Sequence, residues 1–398
     1  MRKQALCHAP SAQLGRRACL RLLGAAAGGV CLLRLPGCAY YEAETGQAFS
    51  PWDFPGPKAV PEVIAARAAL LAASPHNTQP WALRVNPAAI ELLADFDRHL
   101  GAMDGLRREL HIGLGCALEN LLIAARAGGR SCDLTLLPDP AQPNYVARVA
   151  LRSAQLEHDP LFDVIARRHT NRGAYLDKPL AAGPEHALHD LLAPTEGLGI
   201  TLHLLSSARE RAHFRRETIA ATQAITTDAK MSADSERWYR HSHDEIERYR
   251  DGTTLDAAGV DAATSFFAKS FGRPSQSVAN RYWLDATRGR QTTGSAFGIL
   301  SSSAANTRTD QLHAGRTYQR LHLWATTQGL AMQPLNQLAE RQDREQALRL
   351  EPRFTQTLQE LMGGTGRRAQ MLFRIGYPAD HAFASPRRPF GWVVGYSV

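Results

Sequence analysis

Two prolines, an asparagine and a glutamine occur together in residues 74–81, Ser-Pro-His-Asn-Thr-Gln-Pro-Trp. Prolines restrict the backbone, and the amide side chains both donate and accept hydrogen bonds. A stiff loop of this composition suits a flat polar ring such as a flavin or a nucleobase. The candidate ring contacts are Ser74, Pro75, His76 and Asn77. An ordinary connection between a helix and a strand would explain the same residues.

A second polar segment, residues 167–172, reads Arg-Arg-His-Thr-Asn-Arg. A guanidinium group donates hydrogen bonds in a planar fork that matches phosphate oxygens, and a threonine hydroxyl adds another donor. The segment could therefore hold a phosphate group. The alternative is a solvated basic end of a helix, where positive charge complements the helix dipole.

The surrounding elements place both segments at the ends of regular structure. A helix is predicted over residues 61–73, because a proline at its start precedes apolar residues that fall on one face. A β-hairpin is predicted next, with strands at 81–85 and 90–93. Residues 159–160, Asp-Pro, indicate the start of a short helix that leads into the basic segment.

Together, the two segments resemble those of the nitroreductase-like FMN flavoproteins, most closely the internally duplicated Acg-like branch. In that superfamily an arginine-containing segment holds the FMN phosphate, and a loop like residues 74–81 from the other subunit lies against the isoalloxazine ring. The resemblance covers residues 55–395. It implies an α+β fold with a central mixed or antiparallel sheet flanked by helices, in which a single chain imitates the usual homodimer.

The resemblance also assigns binding residues. It gives the phosphate to Arg168, Thr170 and Arg172, with His169 in the same segment, and to the C-terminal basic pair Arg387 and Arg388. It places Pro75, His76 and Asn77, with the adjacent Ser74, against the ring, while Gln79 holds the loop. Residues 329–337 match the segment that directs backbone N–H groups toward flavin N5, where hydride enters and leaves. In that segment Asn336 and Gln337 fall at the ring, and the bulk of Gln337 would narrow the space above it. No catalytic residue is assigned.

A repeat supports the duplication that the resemblance implies. Five residues of one amphipathic pattern recur at a constant offset: Gly115, Leu121, Ile123, Ala125 and Gly129 return as Gly315, Leu321, Leu323, Ala325 and Gly329. Pro-Glu at 61–62 returns at 184–185. Two amphipathic helices could share such matches by chance. The expected halves are residues 55–155 and 156–398. One half contains residues 74–81, which we call the ring loop, and the other contains residues 167–172, the basic segment. One FMN per chain is therefore expected.

The second half contains an additional region, about residues 222–306, which we interpret as a lid over the flavin, as in Acg-like proteins. The alternative is a polar surface pair of helices. His241 and His243 lie in this region, but no third ligand is in register, so no metal site is predicted.

The first 38 residues have the pattern of a twin-arginine export signal. Arg16 and Arg17 precede an apolar run at 20–35, and no acidic residue occurs before Glu42. Cys38 ends a lipobox-like Leu-Pro-Gly-Cys, which predicts a lipid anchor on an otherwise periplasmic protein. The alternatives are cleavage by an ordinary signal peptidase and an uncleaved anchor. Much of the formal net charge of +8 belongs to this segment.

The remaining composition excludes several classes of function. No basic stripe interleaved with aromatic residues indicates nucleic-acid binding, and no Gly-x-Gly-x-x-Gly follows a strand. Cys116 and Cys132 are expected to be buried free thiols, although an oxidising compartment would permit a disulfide.

Three functions remain open for a chain of this kind. The first is an exported, monomeric FMN oxidoreductase that exchanges electrons with an unknown small-molecule donor or acceptor. The second is a protein that binds or sequesters FMN with little turnover. The third is a degenerate duplicate that folds without a cofactor.

Overall fold

A computed structural model gives the fold of the chain. It describes residues 42–54, 60–156, 158–181, 197–260, 264–265, 268–269 and 272–396. The predicted export signal at 1–38, including Cys38, lies outside the described residues, as does the repeated Pro-Glu pair at 184–185.

Helices and strands alternate in groups along the described part of the chain. The α-helices are α1 (Pro61–Leu70), α2 (Arg108–Ala127), α3 (Ala208–Thr227), α4 (Ala229–Glu236), α5 (His243–Tyr249), α6 (Gln276–Ala286), α7 (Arg308–Thr327), α8 (Gln337–Leu348), α9 (Arg353–Leu361) and α10 (Phe390–Val393). The strands are β1 (Trp81–Asn86), β2 (Ala89–Ala94), β3 (Arg130–Leu136), β4 (Tyr145–Ser153), β5 (Thr201–Leu205), β6 (Tyr239–Arg240), β7 (Thr253–Thr254), β8 (Ala296–Ser302), β9 (Ala331–Pro334), β10 (Arg368–Gly376) and β11 (Val394–Tyr396). Short 3-10 helices include Pro75–Asn77, Gly101–Asp104 and Phe162–Arg167.

The helices flank two larger sheets. The first is mixed, with the order β11-β1-β2-β4-β3, and its β11 runs parallel to β1. The second has the order β5-β8-β10-β9, and all its pairs are antiparallel. The predicted α+β class, with mixed and antiparallel sheets flanked by helices, is confirmed.

Helices α2 and α7 pack against each other at the centre of the molecule. Each has 20 residues. Their first residues, Arg108 and Arg308, are separated by the same number of positions as the residues of the sequence repeat. A Cβ atom on Gly115 would lie 2.1 Å from the carbonyl oxygen of Leu312 and 3.0 Å from Cα of Gly315, so these glycines let the two backbones touch. Among the described helices α2 alone is long and apolar enough to span a membrane. Most of it (94% of the apolar window) is buried inside the protein, as in a core helix.

The predicted lid region needs a correction at its C-terminal end. Residues 296–302, which fall within the predicted lid region, form β8. This strand is buried along its whole length. Its small residues are a packing requirement, because a Cβ atom on Gly298 would lie 2.3 Å from the ring of Phe373. The insertion therefore ends before residue 296, and a central strand follows it.

The predicted boundary between the halves at residue 155 separates strands that pair in the fold. Strand β11 belongs to the expected C-terminal half, yet Val394 pairs with Leu83 in the sheet of the other half. The hairpin of β1 and β2 is confirmed. The predicted first helix ends three residues early, at Leu70, and the predicted short helix is the 3-10 segment Phe162–Arg167. Cys116 and Cys132 are free thiols as predicted, although Cys132 is only half-buried.

Candidate functional site

A cleft of about 880 Å³ lies where the ring loop meets helix α2, the segment after β9 and the insertion. Part of this volume is open to solvent. The lining comes from residues far apart in sequence: Ala73, Ser74, Pro75, His76, Glu109, Ile112, Gly113, Cys116, Thr170, Arg172, Tyr239, Thr253, Trp283, Gln291, Tyr318, Gln333, Pro334, Asn336, Gln337, Glu340 and Met371. The cleft thus brings together three separately predicted segments.

The ring loop is held in a strained backbone conformation. His76, Asn77 and Gln79 have φ values of 45°, 56° and 51°, in the left-handed region that residues other than glycine seldom adopt. Such strain persists where the surrounding structure enforces it, and it concentrates at functional sites. A Cβ atom on Gly113 of α2 would lie 3.0 Å from Cδ of Pro75, so this glycine lets the loop approach the helix closely.

Two predicted ligands, Asn77 and Arg388, form hydrogen bonds within the protein. The Asn77 amide donates to the carbonyl oxygens of Gly252 at 3.0 Å and Pro386 at 2.8 Å, and it accepts from Arg387 at 2.9 Å. The Arg388 guanidinium donates to Gln79 O at 3.2 Å and Trp81 O at 3.4 Å. Both residues therefore shape the loop, as we expected for Gln79. Asn77 also lines a small cavity at the end of the cleft, whereas Arg388 lines neither space.

Ser74, Pro75 and His76 do line the cleft, and Ser74 also fixes the loop by accepting from Gln79 N at 3.1 Å. Enclosure by the protein, and secondly the charge of Arg172, lower the pKa of His76 to about 4. The imidazole is therefore neutral at neutral pH and can accept or donate one hydrogen bond on each nitrogen. Its Nε2 lies 2.9 Å from Oγ of Ser235 in the insertion.

The cleft continues into a small basic cavity of about 300 Å³. Ala73, Ser74, Thr170 and Arg172 line both spaces, and Arg168, His169 and Arg387 close the far end. Arg168 and Arg387 are only 2% and 3% exposed, respectively. The structure therefore gathers the predicted phosphate residues at one end of the cleft, with the exception of Arg388.

The basic cavity carries positive charge that the protein does not neutralise. Within the described residues, no carboxylate pairs with Arg168, Arg172 or Arg387. Burial, and then the other arginines, lower the pKa of Arg168 to about 10 and that of Arg387 well below its usual value. The Nε atoms of Arg168 and Arg387 also find no hydrogen-bond partner in the described protein. A buried set of this kind requires an anion, and a phosphate group fits the donors.

Main-chain and aromatic contacts hold these guanidinium groups in place. Arg168 and Arg387 both donate to Leu71 O, at 3.1 and 3.4 Å. The Arg387 guanidinium lies 4.8 Å from the ring centre of Trp52, and the His169 ring lies edge-on to the same indole at 4.5 Å. Burial and the charge of Arg168 lower the pKa of His169 to about 3, so His169 adds no positive charge at neutral pH.

The segment after β9 combines one fixed and one unpartnered amide. Asn336 accepts from Leu372 N at 2.8 Å and donates to Sδ of Met371 at 3.2 Å, which fixes the start of α8. Gln337, the first residue of α8, is 6% exposed, and its Oε1 has no partner in the described protein. Both residues line the cleft, as the resemblance implied.

Several cleft residues were missed by the sequence analysis. Tyr318 is fully buried and its hydroxyl has no partner among the described residues, and the same holds for Oε1 of Gln333. Glu109 and Glu340 bring two carboxyl groups to the cleft, and Trp52 supports the basic end. Glu109 and Glu340 each lie on an otherwise buried helix face, which was the available signal.

The region that we predicted to be a lid forms one wall of the cleft and is hydrogen-bonded to residues around it. Tyr239, Trp283 and Gln291 line one wall. Gly252 N donates to Asn77 O at 3.2 Å, and Arg172 donates to Ala257 O at 2.9 Å. Within the described residues, no group of three metal-ligating side chains is close enough to hold an ion.

Comparisons with known proteins point in the same direction. No protein-family model matches the chain. A protein of Mycobacterium tuberculosis strain H37Rv, provisionally named NAD(P)H nitroreductase, is 27% identical over 362 residues, or 88% of this chain and 94% of that protein. A second one from the same strain, provisionally named NAD(P)H nitroreductase acg, is 26% identical over 285 residues, or 69% of this chain and 80% of that protein. These matches support placing the chain in the nitroreductase superfamily.

One solved structure has a weaker similarity to the chain. It is the FMN-dependent nitroreductase NfnB from Mycobacterium smegmatis in complex with NADPH, with 17% identity and a TM-score of 0.38. The match covers 60% of this chain and 98% of the other.

Proposed function

We propose that the chain binds one FMN and is an oxidoreductase that exchanges electrons with a small molecule. The observation that carries the proposal is a set of three arginines at one end of the cleft, the buried Arg168 and Arg387 and the half-buried Arg172, which pair with no carboxylate among the described residues. The relatives provisionally named NAD(P)H nitroreductases support the reaction class.

The residues present fit FMN at both ends of the cleft. Arg168, Arg172 and Arg387, with the Thr170 hydroxyl, would hold the phosphate. Ser74, Pro75 and His76 would lie along the ring. The unpartnered polar atoms of Tyr318, Gln333 and Gln337 would supply hydrogen bonds to its polar edge. When bound, FMN supplies two-electron hydride chemistry.

The insertion would exclude water and limit access to the ring. Tyr239 and Trp283 provide an aromatic wall, and the hydrogen bonds to Asn77 and Arg172 hold that wall over the cleft. Closed sites of this kind strengthen the electrostatic contacts inside them and often turn over at the rate of opening.

The same attachment favours a second candidate function, a protein that holds FMN with little turnover. The two functions differ in the accessibility of the ring and not in binding. One preparation separates them: flavin content of the purified protein, set beside its reduction by NADPH and by dithionite. Flavin reduced by both reagents and reoxidised by a quinone or a nitroaromatic supports the enzyme. Flavin reduced by neither supports storage, and a protein that takes up no flavin contradicts both.

We also propose that the chain is internally duplicated and works as a monomer. The ring loop belongs to the expected first half, whereas the basic segment belongs to the second, so one chain holds both parts of one site. The equal lengths of α2 and α7 and their contact through glycines are consistent with two related halves. Sedimentation of the loaded protein should give the mass of one chain, and a dimer that dissociates only with loss of flavin would oppose the proposal.

Export by the twin-arginine route to the periplasm is a further proposal, based on residues 1–38 of the sequence. That route would deliver the protein folded, with its cofactor bound. Changing Arg16 and Arg17 to lysine should leave loaded protein in the cytoplasm, and unchanged export would oppose the proposal. Cys38→Ser should release the mature protein from the membrane fraction if Cys38 carries a lipid.

A further inference from the structure

Four buried carboxyl groups meet where the start of α2 packs against α8. Asp104, Glu109, Glu340 and Asp343 are all 5% exposed or less. Asp104 accepts from the backbone N–H groups of Glu109 at 3.0 Å and Leu110 at 2.9 Å. The carboxyl groups of Glu109 and Glu340 are neighbours that influence each other's pKa, and both line the cleft.

The positive charge in this cluster is smaller than the number of carboxyl groups. Arg108 is fully buried and contacts Asp343 at 2.7 Å and Glu109 at 3.2 Å. Arg368 contacts the other oxygen of Asp343 at 2.6 Å. Two guanidinium groups cannot balance four buried carboxylates, so part of the cluster must remain protonated.

The contacts indicate where the proton is held. Glu109 accepts from Arg108, which favours its charged form, whereas within the described residues Glu340 has no cation in contact. Burial, and then the charge of Glu109, raise the pKa of Glu340 well above its usual value. Burial and the same neighbour raise the pKa of Asp104 to about 8. Burial raises the pKa of Glu109 as well, but the contact with Arg108 opposes that shift, so we assign the proton of the pair to Glu340.

A second observation points from this cluster to a ligand. Oε2 of Glu340 has no hydrogen-bond partner in the described protein, although its residue is 5% exposed and lines the cleft. Two amide oxygens of the cleft also lack a hydrogen-bond partner in the described protein. They are Oε1 of Gln333 and Oε1 of Gln337, whose residues are 4% and 6% exposed. Buried polar atoms seldom stay unpaired, so these groups face something that the cleft is built to bind.

We propose that Glu340 is the proton donor to the oxygen of a quinone-like acceptor reduced in the cleft, with Glu109 as the positioning residue. The inference rests on the proposed flavin chemistry, and a quinone is taken as an acceptor whose oxygen must gain a proton on reduction. The terminal torsion of a glutamic acid is soft, so its O–H can turn from Glu109 toward the cleft.

The step balances in electrons and protons. Reduction of a quinone to a hydroquinone adds two electrons and two protons. FMN, when bound and reduced, would supply both electrons and one proton as a hydride to one carbonyl oxygen. The O–H bond of Glu340 breaks, and its proton forms the second hydroxyl on the other carbonyl oxygen. The carboxylate left on Glu340 repels that of Glu109 and takes a proton from water in the cleft.

The pH dependence follows from the groups that face Glu340. These are Glu109 and Arg108 from α2 and Asp104 from the preceding 3-10 helix, with Asp343 on its own helix and Arg368 from β10 behind it. The carboxylates outnumber the cations, so the acid stays protonated through neutral pH. Quinone reduction should be flat there and should slow in alkaline solution.

The test compares two oxidants of the dithionite-reduced, FMN-loaded protein. Benzoquinone needs protons, whereas ferricyanide takes single electrons and no proton. We expect Glu340→Gln, which keeps a hydrogen-bond donor, to slow the benzoquinone reaction by roughly a hundred-fold and to leave the ferricyanide reaction unchanged. Glu345→Gln is the matched control: Glu345 lies on the same helix, is also buried, and accepts from Phe354 N away from the cleft. It should leave both rates unchanged.

A second measurement uses the flavin-free protein. Its infrared spectrum at neutral pH should contain the carbonyl band of a protonated carboxylic acid that Glu340→Gln removes and Glu345→Gln keeps. The absence of that band, or equal effects of Glu340→Gln on both oxidants, would overturn the inference. A wild-type protein whose flavin reacts with neither oxidant would instead contradict the proposed function, and this inference with it.

Discussion

At the residue scale, the arginines of the basic segment differ sharply in their surroundings. Arg167 is exposed at the end of a 3-10 helix, whereas the adjacent Arg168 is buried beside Arg387. A helix end that merely complemented its dipole would leave both side chains in water. The burial of Arg168 therefore favours the phosphate site over the solvated basic end.

The first prediction is that Arg168→Gln weakens FMN binding far more than Arg167→Gln. A hydrogen bond to a charged group is worth about 1.5–3 kcal/mol, so affinity should fall roughly ten- to a hundred-fold. Arg167→Gln should have little effect, because the side chain is solvated. Quenching of flavin fluorescence on titration with flavin-free protein measures both, and equal small losses would favour the solvated interpretation.

The second prediction concerns Asp104, whose pKa is raised to about 8 by burial and by Glu109. Between the pKa of an unfolded aspartate and about 8, the folded protein holds a proton that the unfolded chain has released. The free energy of unfolding should therefore fall as the pH rises through this window. Asp104→Asn should reduce that slope by about 1.4 kcal/mol per pH unit.

Urea unfolding of the flavin-free protein at a series of pH values measures this slope. The control is Asp163→Asn, because Asp163 is exposed and pairs only with the exposed His158. An unchanged slope in Asp104→Asn would show that Asp104 is ionised in the folded protein.

At the element scale, the contact between α2 and α7 depends on Gly115 and Gly315. Replacing an exposed glycine in a helix with alanine normally stabilises the protein, by up to about 1 kcal/mol. At Gly115 the added methyl group would instead lie 2.1 Å from Leu312 O.

The third prediction is therefore a reversal of sign. Gly115→Ala should destabilise the protein by about 1–3 kcal/mol or more, because the two helices must move apart. Gly105→Ala is the control, since its Cβ would meet nothing within 4 Å and its φ is −59°. Urea unfolding compares the two variants, and a neutral Gly115→Ala would show that the helices are not in close contact.

The same elements show how far the sequence could be interpreted. The hairpin of β1 and β2 and the glycine-bearing helices follow from local patterns and were predicted. Strand β8 was not, because both its faces are buried and its small residues give no alternation. The pairing of β11 with β1 joins residues from opposite ends of the chain, which no local pattern encodes.

The site divides in a similar way. Residue types and family resemblance identified Arg168, Thr170, Arg172 and Arg387, which the structure gathers at one end of the cleft. They could not show that the Asn77 amide donates to the carbonyl oxygens of Pro386 and Gly252, because both residues are distant from Asn77 in sequence. The carboxyl pair of Glu109 and Glu340 was also missed, because its two members become neighbours only through the packing of α2 on α8.

At the scale of the whole molecule, Asp251 makes one of the contacts that join the insertion to the rest of the chain. This buried carboxylate pairs with Arg98 outside the insertion and with Arg240 within it. The contact holds the wall that contains Tyr239 over the cleft. Loosening it should raise access to the ring.

The fourth prediction is that Asp251→Asn speeds reduction of the bound flavin by NADPH, because opening and not chemistry limits the reaction. Stopped-flow bleaching of the flavin measures the rate. The control is Arg273→Gln, which removes the exposed ion pair with Glu245 within the insertion. Equal rates in wild type and Asp251→Asn, or wild-type reduction that is already fast, would show that the insertion does not limit access.

The central claim is that each chain holds one FMN through its phosphate, between the ring loop and the buried arginines. Calorimetric titration of flavin-free protein with FMN and, separately, with riboflavin tests it most directly. One site per chain is expected, with riboflavin bound at least about a hundred-fold more weakly because it lacks the phosphate that Arg168, Arg172 and Arg387 would contact. Two FMN sites per chain, or equal affinity for FMN and riboflavin, would contradict it.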